Sequence, residues 1–423
     1  MNIFQISWKN IINKPLNATL SLVLFALGVG LISLLFLLNQ QIEEKFDKNL
    51  AGIDLVIGAK GSPLQLILSS MYHIDAPTGN ISLKAARPFL NPNHRLIGMA
   101  IPISVGDNYK GHRIVGTSPK ILELYDSAQV EQGRIWENVF EVVVGKVVAE
   151  KLNLPLGAKF YGSHGLIEDV NLAHDDVEAF EVVGILEGNG SVIDQLILTA
   201  NQTVWAVHDH EMVEDEAESD TTQHHGHGHI ADLSIPLTAY PDKDITSLLI
   251  KFKSRNFQTL NMPRSINENT DMQAATPAIE INRIYSMIGD GEEALRYLAF
   301  IIIFVSGLSI FISLFSSLRE RRYELALMRV MGASPFKLFL LIVLEGIILA
   351  FVGYLIGILL SHVGMSVFAT QMEETYRYSF SAWSFMKEEA YLLFGALAVG
   401  LVAAILPAMQ ASNTDISTTL SEG

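Results

Sequence analysis

Ser316-Ser317-Leu318-Arg319-Glu320-Arg321-Arg322-Tyr323-Glu324-Leu325-Ala326-Leu327-Met328-Arg329-Val330-Met331-Gly332-Ala333-Ser334-Pro335 is the stretch on which the reading of this chain turns. An apolar run of membrane-spanning length ends where it begins, at residues 297–318, and a second opens just after it, past Lys337. The piece between is charged and amphipathic, with Leu325, Met328, Val330 and Met331 giving it an apolar side. Gly332 can supply a left-handed helix stop. Ser334 then caps the next helix, with Pro335 at its first position. The spacing predicts a short helix held at the membrane surface between two spans. The plainer alternative is a positively charged anchor with no further role.

Working outward, a helix needs about 20 apolar residues to cross the hydrocarbon core. Residues 17–40, 297–318, 337–367 and 390–411 qualify. Of the 423 residues, 49% are hydrophobic and 17% are charged, against roughly 25% charged in an average soluble domain. The first apolar run exceeds a signal-peptide core and no small-residue cleavage site follows it, so it reads as a span that continues as an amphipathic helix. Lys9 and Lys14 place segment 1–16 in the cytoplasm. Four basic residues against two acidic ones, with Lys337 just beyond, do the same for 319–336. Residues 368–389 then form a short outer loop, 412–423 return to the cytoplasm, and 41–296 lie outside. Residues 43–293 carry a net charge of −17, more than the whole chain's −16, so the acidity belongs to the outer domain.

Within that domain, strand-like runs at 96–105, 113–116, 140–144, 180–186, 195–198 and 247–252 alternate with turns, one of them expected at Gly106-Asp107-Asn108. Helical patterning falls at 120–124, 146–152 and about 277–294, the last leading into the second span. The expected fold is therefore an α-helical membrane protein with four transmembrane helices and a large extracytoplasmic mixed α/β domain between the first two. Six of the chain's twelve histidines, His208, His210, His224, His225, His227 and His229, lie in a polar segment with seven acidic residues. Neutral imidazoles at this spacing can ligate Zn²⁺ or another divalent metal. The bland alternative is a solvated acidic loop that meets metal incidentally.

The chain has no cysteine, which excludes disulfides, Cys-ligated zinc and thiol catalysis. Gly58-Ala59-Lys60-Gly61-Ser62 lacks the spacing of a phosphate loop, and no HExxH, GxSxG or kinase signature occurs. A strongly acidic domain repels phosphate, so nucleic acid is not an expected partner. Glu345, eight residues past Lys337, is the clear intramembrane carboxylate. It either serves function, or reaches the interface or pairs with a cytoplasmic arginine. One ionisable group is thin support for an ion-coupled carrier. Gly353 and Gly357, Ala396 and Gly400, and Gly28 and Gly30 are small-residue pairs that let helices approach closely.

The run Arg321/Glu324/Arg329/Gly332-Ala333-Ser334, the later Leu344-Glu345-Gly346, the segments 145–152, 156–157 and 180–186, and the order of one span, outer domain and three spans together resemble the MacB/FtsX-like permease family of ABC transporters. The resemblance covers most of the chain. It implies a MacB-like periplasmic core domain at 41–296 and a bacterial inner-membrane location. It implies a coupling helix that meets a separate ATPase subunit through Arg319, Glu320, Arg321, Arg322, Glu324 and Arg329, with Gly332 as terminator. It further implies no catalysis or bound cofactor in this chain, pairing with a second copy or a related permease, and work on an envelope substrate with a periplasmic lipoprotein or adaptor. Residues 58–80 and the histidine-rich insert lie outside the generic pattern. A membrane sensor or scaffold whose outer domain binds a ligand such as zinc is the competing expectation.

Overall fold

The computed structural model describes residues 3–13, 15–125, 128–164, 178–207, 233–376 and 380–413. Four helices among them are long and apolar enough to cross a membrane. They lie within Pro15–Leu50, Pro277–Glu320, Pro335–Tyr376 and Lys387–Ser412. Each outruns the apolar segment that defines it, because the flanking polar residues are also helix formers and nothing there breaks the helix. The chain divides into two compact units.

The first unit is the helix bundle, Met1–Glu43, Ser286–Thr375 and Ser379–Gly423. Its core joins Phe25 and Val29 to Ile310, Leu314, Leu341, Ala350 and Ala404. Lipid tails are as apolar as leucine, so these spans hold together by close fit rather than by hydrophobicity. At Gly357, an added Cβ would stand 2.8 Å from the Ala26 carbonyl oxygen, and at Gly30 it would stand 2.9 Å from that of Gly357. Gly346 and Gly400 face each other in the same way, each with its Cβ position 2.8 Å from the other's carbonyl oxygen. Gly353 abuts Phe25, and Ala396 is buried in the same core. The structure adds a short helix, Ile3–Asn13, before the first span. Phe4, Trp8 and Ile12 are exposed along one stripe, while Ser7 is buried and donates to the Leu341 carbonyl oxygen at 3.3 Å.

The second unit is the outer domain, Glu44–Tyr285 with Tyr376–Tyr378. Its main sheet runs Met272–Ala275, Leu55–Ala59, Ser247–Phe252, Ile97–Tyr109, His112–Thr117, Ile197–Ala200, Glu141–Val144, Phe180–Leu186 and Val130–Gly133. Most pairings are antiparallel; Ile197–Ala200 runs parallel to His112–Thr117, and Glu141–Val144 parallel to Phe180–Leu186. Two cores cover it. One gathers Leu55, Ile57, Leu248, Ile250 and Ile266, the other Ile114, Val142, Val144, Val182 and Ile197. The 13-residue strand Ile97–Tyr109 serves both halves, pairing with Ser247–Phe252 through its first part and His112–Thr117 through its second. The turn expected at residues 106–108 is instead a bulge between Val105 and Asp107 inside this strand. The chain reverses at Lys110 and Gly111, both at positive φ. A bulge and a turn attract the same small polar residues, which is why the sequence pattern misplaced it.

Both membrane-linking helices root in this domain. Asn49, fully buried near the end of Pro15–Leu50, accepts the Val192 amide at 2.7 Å. Phe46 meets Tyr72 and Tyr285 edge-on, with ring centroids 5.0 and 5.9 Å away. Tyr285 belongs to Pro277–Glu320, so an aromatic contact joins the two helices where they enter the domain.

Candidate functional site

The segment quoted first folds as two helices meeting at a kink. The helix Pro277–Glu320 ends, Arg321 leaves helical geometry at φ −107° and ψ 17°, and a nine-residue helix follows over Arg322–Val330. A single helix across residues 319–329 is therefore not what forms. The kink turns the short helix so that Leu325 and Ala326 are buried in the bundle core. Its other side, with Arg322, Tyr323, Glu324, Leu327, Val330 and Met331, is exposed. Arg319 and Glu320 are exposed as well.

Termination is explicit. Gly332 sits at φ +94°, its amide donates to the Arg329 carbonyl oxygen, and the Ala333 amide donates to that of Met328 at 2.9 Å. This is the Schellman arrangement, which needs a left-handed residue and so favours glycine. Ser334 Oγ accepts the Lys337 amide at 3.4 Å and starts the third span's helix with Pro335 behind it. Arg329 Nη1 donates to the Ser412 carbonyl oxygen at 3.1 Å. That places a cation on the C-terminus of the Lys387–Ser412 helix, where the helix dipole favours it.

Arg321 does something different from its neighbours. Its side chain is only 9% exposed, and Nη1 lies 3.5 Å from Glu345 Oε1, whose side chain is 3% exposed. Glu345 Oε1 also accepts from Asn10 Nδ2 at 2.7 Å, and Ser317 Oγ lies 3.4 Å from Arg321 Nη1. The Arg321 Nε stands 3.4 Å from Glu324 Oε2 on the exposed side. A cavity of about 20 Å³ opens beside this cluster, lined by Asn10, Ser313, Ser317 and Glu345 among others. The buried carboxylate of the third span thus ties together the N-terminal helix, the end of the second span and the kink. The expected pairing of Glu345 with an arginine is formed, with Arg321. Asn10 and Ser7 were missed at the sequence level. The available signal was a Ser/Asn pair three residues apart on one face of an otherwise apolar stretch.

The six histidines at 208–229 fall outside the described residues. Among the described residues no group of three or more His, Asp or Glu side chains is placed to hold a metal ion, so zinc binding has no support here.

Comparison with known families matches residues 18–245 to the MacB-like periplasmic core domain, over half of the chain, and residues 297–416 to the FtsX-like permease C-terminal domain. The chain belongs to the MacB/FtsX-like family of ABC transporter permeases. It is a multi-pass membrane protein with a large periplasmic domain inserted after its first span. MacB/FtsX-like permeases are membrane components that work with a separate ATPase subunit. The FtsX-like match takes in the kink, the Arg322–Val330 helix, Glu345 and the last two spans. A comparison with curated proteins found no match.

Proposed function

We propose that this chain is the permease subunit that receives ATP-driven motion on the Arg322–Val330 helix and delivers it to its periplasmic domain. The motion would drive export, lipoprotein handling or extraction of an envelope substrate. The observation that carries this reading is the Arg322–Val330 helix itself. It is fixed from behind by buried Leu325, by Arg321–Glu345 and by Arg329–Ser412, and it presents a mixed apolar and charged face on which Leu327, Val330 and Met331 are exposed. Tyr323 and Met331 are 53% and 73% exposed. Aromatic, methionine and arginine side chains together are what a protein-docking surface enriches.

In this reading Arg319, Glu320, Arg322 and Glu324 contact the ATPase, while Arg321 and Arg329 are positioning residues that keep the helix in its pose, and Gly332 ends it. Two copies, or this chain and a related permease, would present two such helices to a pair of ATPase subunits. Closure of that pair on ATP would draw the helices together, and Pro15–Leu50 and Pro277–Glu320 would carry the displacement outward. The spans act as levers.

The test is co-purification. Arg322→Glu with Glu324→Arg should abolish recovery of the cognate ATPase with the tagged permease and remove permease-dependent ATP turnover. Recovery at the wild-type ratio with unchanged turnover refutes the docking role.

A further inference from the structure

The helix Ile3–Asn13, ahead of the first span, takes no part in the docking reading, and its two sides suit different neighbours. Inward, buried Ser7 donates to the Leu341 carbonyl oxygen at 3.3 Å, and Asn10 Nδ2 donates to Glu345 Oε1 at 2.7 Å. Ile6 and Ile11 pack against the bundle core. Outward, Phe4, Trp8 and Ile12 recur every fourth residue, each at least 44% exposed. On a helix of 3.6 residues per turn that spacing gathers the three apolar side chains into one stripe. Gln5 and Lys9, beside the stripe, are exposed as well.

The inward contacts fix the depth of this helix. Leu341 and Glu345 lie four and eight residues past Lys337, where the apolar run of the third span opens. Ser7 and Asn10 are therefore held about 6 and 12 Å along that span from its cytoplasmic end. Interfacial amphipathic helices sink about 5–10 Å into the boundary between headgroups and acyl chains, and this helix is pinned at that level. A soluble ATPase meets groups that stand in water, as the charged side of Arg322–Val330 does, and not an apolar stripe at the height of the lipid.

Charge and connection name the same neighbour. Residues 1–16 contain Lys9 and Lys14 and no acidic residue. Anionic headgroups of the inner leaflet attract basic side chains placed next to the membrane. Tryptophan concentrates at this level because its ring is apolar while its N–H seeks a polar partner. One residue separates Asn13 from Pro15, where the helix of the first span begins, so the membrane-embedded span holds Ile3–Asn13 close to the bilayer.

We propose that Ile3–Asn13 is a lipid-binding foot: Phe4, Trp8 and Ile12 enter the inner leaflet, Lys9 takes an anionic headgroup, and Asn10 passes the grip of the leaflet to Glu345. The pair Arg321–Glu345 thereby has the membrane behind it, and anionic lipid steadies the lock from the side away from the ATPase. The effect on the pose of Arg322–Val330 rests on the docking reading, and the lipid contact does not.

The experiment uses the full chain, without ATPase, in nanodiscs of phosphatidylcholine or of phosphatidylcholine with phosphatidylglycerol. In one set the phosphatidylcholine is brominated near the top of its acyl chains, where bromine quenches tryptophans that touch it. Trp136, Trp205 and Trp383 also emit, so Trp8→Phe supplies the blank and the Trp8 signal is the difference. That signal should be blue-shifted and lose most of its intensity in the brominated discs. Phosphatidylglycerol should raise the thermal unfolding midpoint of wild type, less so as salt is added. Lys9→Gln should shrink this gain. Asn10→Ala should keep the quenching of Trp8 and lose the gain. An unquenched Trp8 overturns the lipid contact, and if it then responds to added ATPase the stripe is a protein contact instead. A wild-type midpoint indifferent to phosphatidylglycerol, or a gain unchanged in Lys9→Gln, overturns the headgroup at Lys9. A gain unchanged in Asn10→Ala overturns the link to Glu345. Lys9 is exposed and its variant keeps every buried contact, so that arm stands even if Asn10→Ala does not fold. No readout depends on ATP turnover, so this proposal and the docking reading fail separately.

Discussion

Glu345→Gln removes one charge from the Arg321–Glu345 pair and little else. Glutamine keeps the volume and an oxygen that accepts from Asn10, so what is lost is the charge facing Arg321 Nη1 at 3.5 Å. At an effective dielectric near 20, two unit charges at that separation attract by about 5 kcal/mol. Because the Arg321 side chain is 9% exposed, the variant leaves its guanidinium largely buried, with exposed Glu324 at 3.4 Å as a counter-charge. Breaking one side of such a pair costs about 3–5 kcal/mol. Arg321→Met should cost a similar amount by stranding the carboxylate. The pair Arg321→Met with Glu345→Leu should recover most or all of the loss, since well-packed apolar replacements of buried ion pairs are neutral or stabilising by about 1–4 kcal/mol. The assay is a double-mutant cycle on denaturant unfolding of the full chain in mixed micelles. A coupling energy under about 1 kcal/mol would show that the two residues are energetically independent and would refute the lock. Transport by the double variant is a second reading of the same cycle: restored stability without restored ATP-dependent activity means that the charge pair sets the pose of the Arg322–Val330 helix.

Four other outcomes follow from the structure. Gly357→Leu should disrupt assembly of the bundle, because even a Cβ would stand 2.8 Å from the Ala26 carbonyl oxygen; unchanged helicity and yield in detergent would contradict the close approach. Phe46→Ala should weaken the contact between the two membrane-linking helices by about 1–3 kcal/mol, from lost area and two aromatic pairs; it should cut transport more than ATP turnover, and equal losses in both would argue against a coupling role. Burial and then the nearby Arg113 hold the His73 imidazole down at about 3, so the unfolded chain takes up a proton that the folded chain refuses. Stability should fall by up to about 1.4 kcal/mol per pH unit as pH drops from about 6.5 toward 3, and a His73→Gln variant with the same slope would exclude His73 as the source. Bidentate pairing with Arg134 puts the Glu141 carboxyl at about 2; its stabilisation is present above about pH 4 and is lost as pH falls toward 2, so Glu141→Gln should lower stability at neutral pH and flatten the unfolding profile between about pH 4 and 2.

Much of this architecture is legible in the sequence for a physical reason. Spans announce themselves through length and apolarity, and charge asymmetry orients them. The buried strands Phe180–Leu186 and Ser247–Phe252 are apolar runs between turn residues, and both were readable within a residue. Leu55–Ala59 was not, because its Gly58-Ala59-Lys60-Gly61 end looks like a loop. Leu66 of the following helix packs against Gly58. Phe257–Asn269 carries Pro263 and a weak apolar face, so its helix comes from the Asn256/Thr259 capping box more than from periodicity. At the docking site the apolar face of Arg322–Val330 was visible, but the inward turn of Arg321 was not. That depends on Glu345, 24 residues away, and no local pattern can reveal which of several arginines a buried carboxylate will select.

The strand Ile97–Tyr109 has a consequence for how the periplasmic domain handles force. Its first part, to Ile103, pairs with Ser247–Phe252 and its second, from Ser104, with His112–Thr117, so the two pairings abut without a gap. A jaw requires a seam along which two halves can part, and a strand hydrogen-bonded on both sides of the midpoint removes that seam. Opening the domain would tear ladder bonds to Ser247–Phe252 or to His112–Thr117. Under load such a domain behaves as a plank: it can tilt or press as one piece, but it cannot bite. Load applied to one half of this sheet is then carried into the other half through a shared strand.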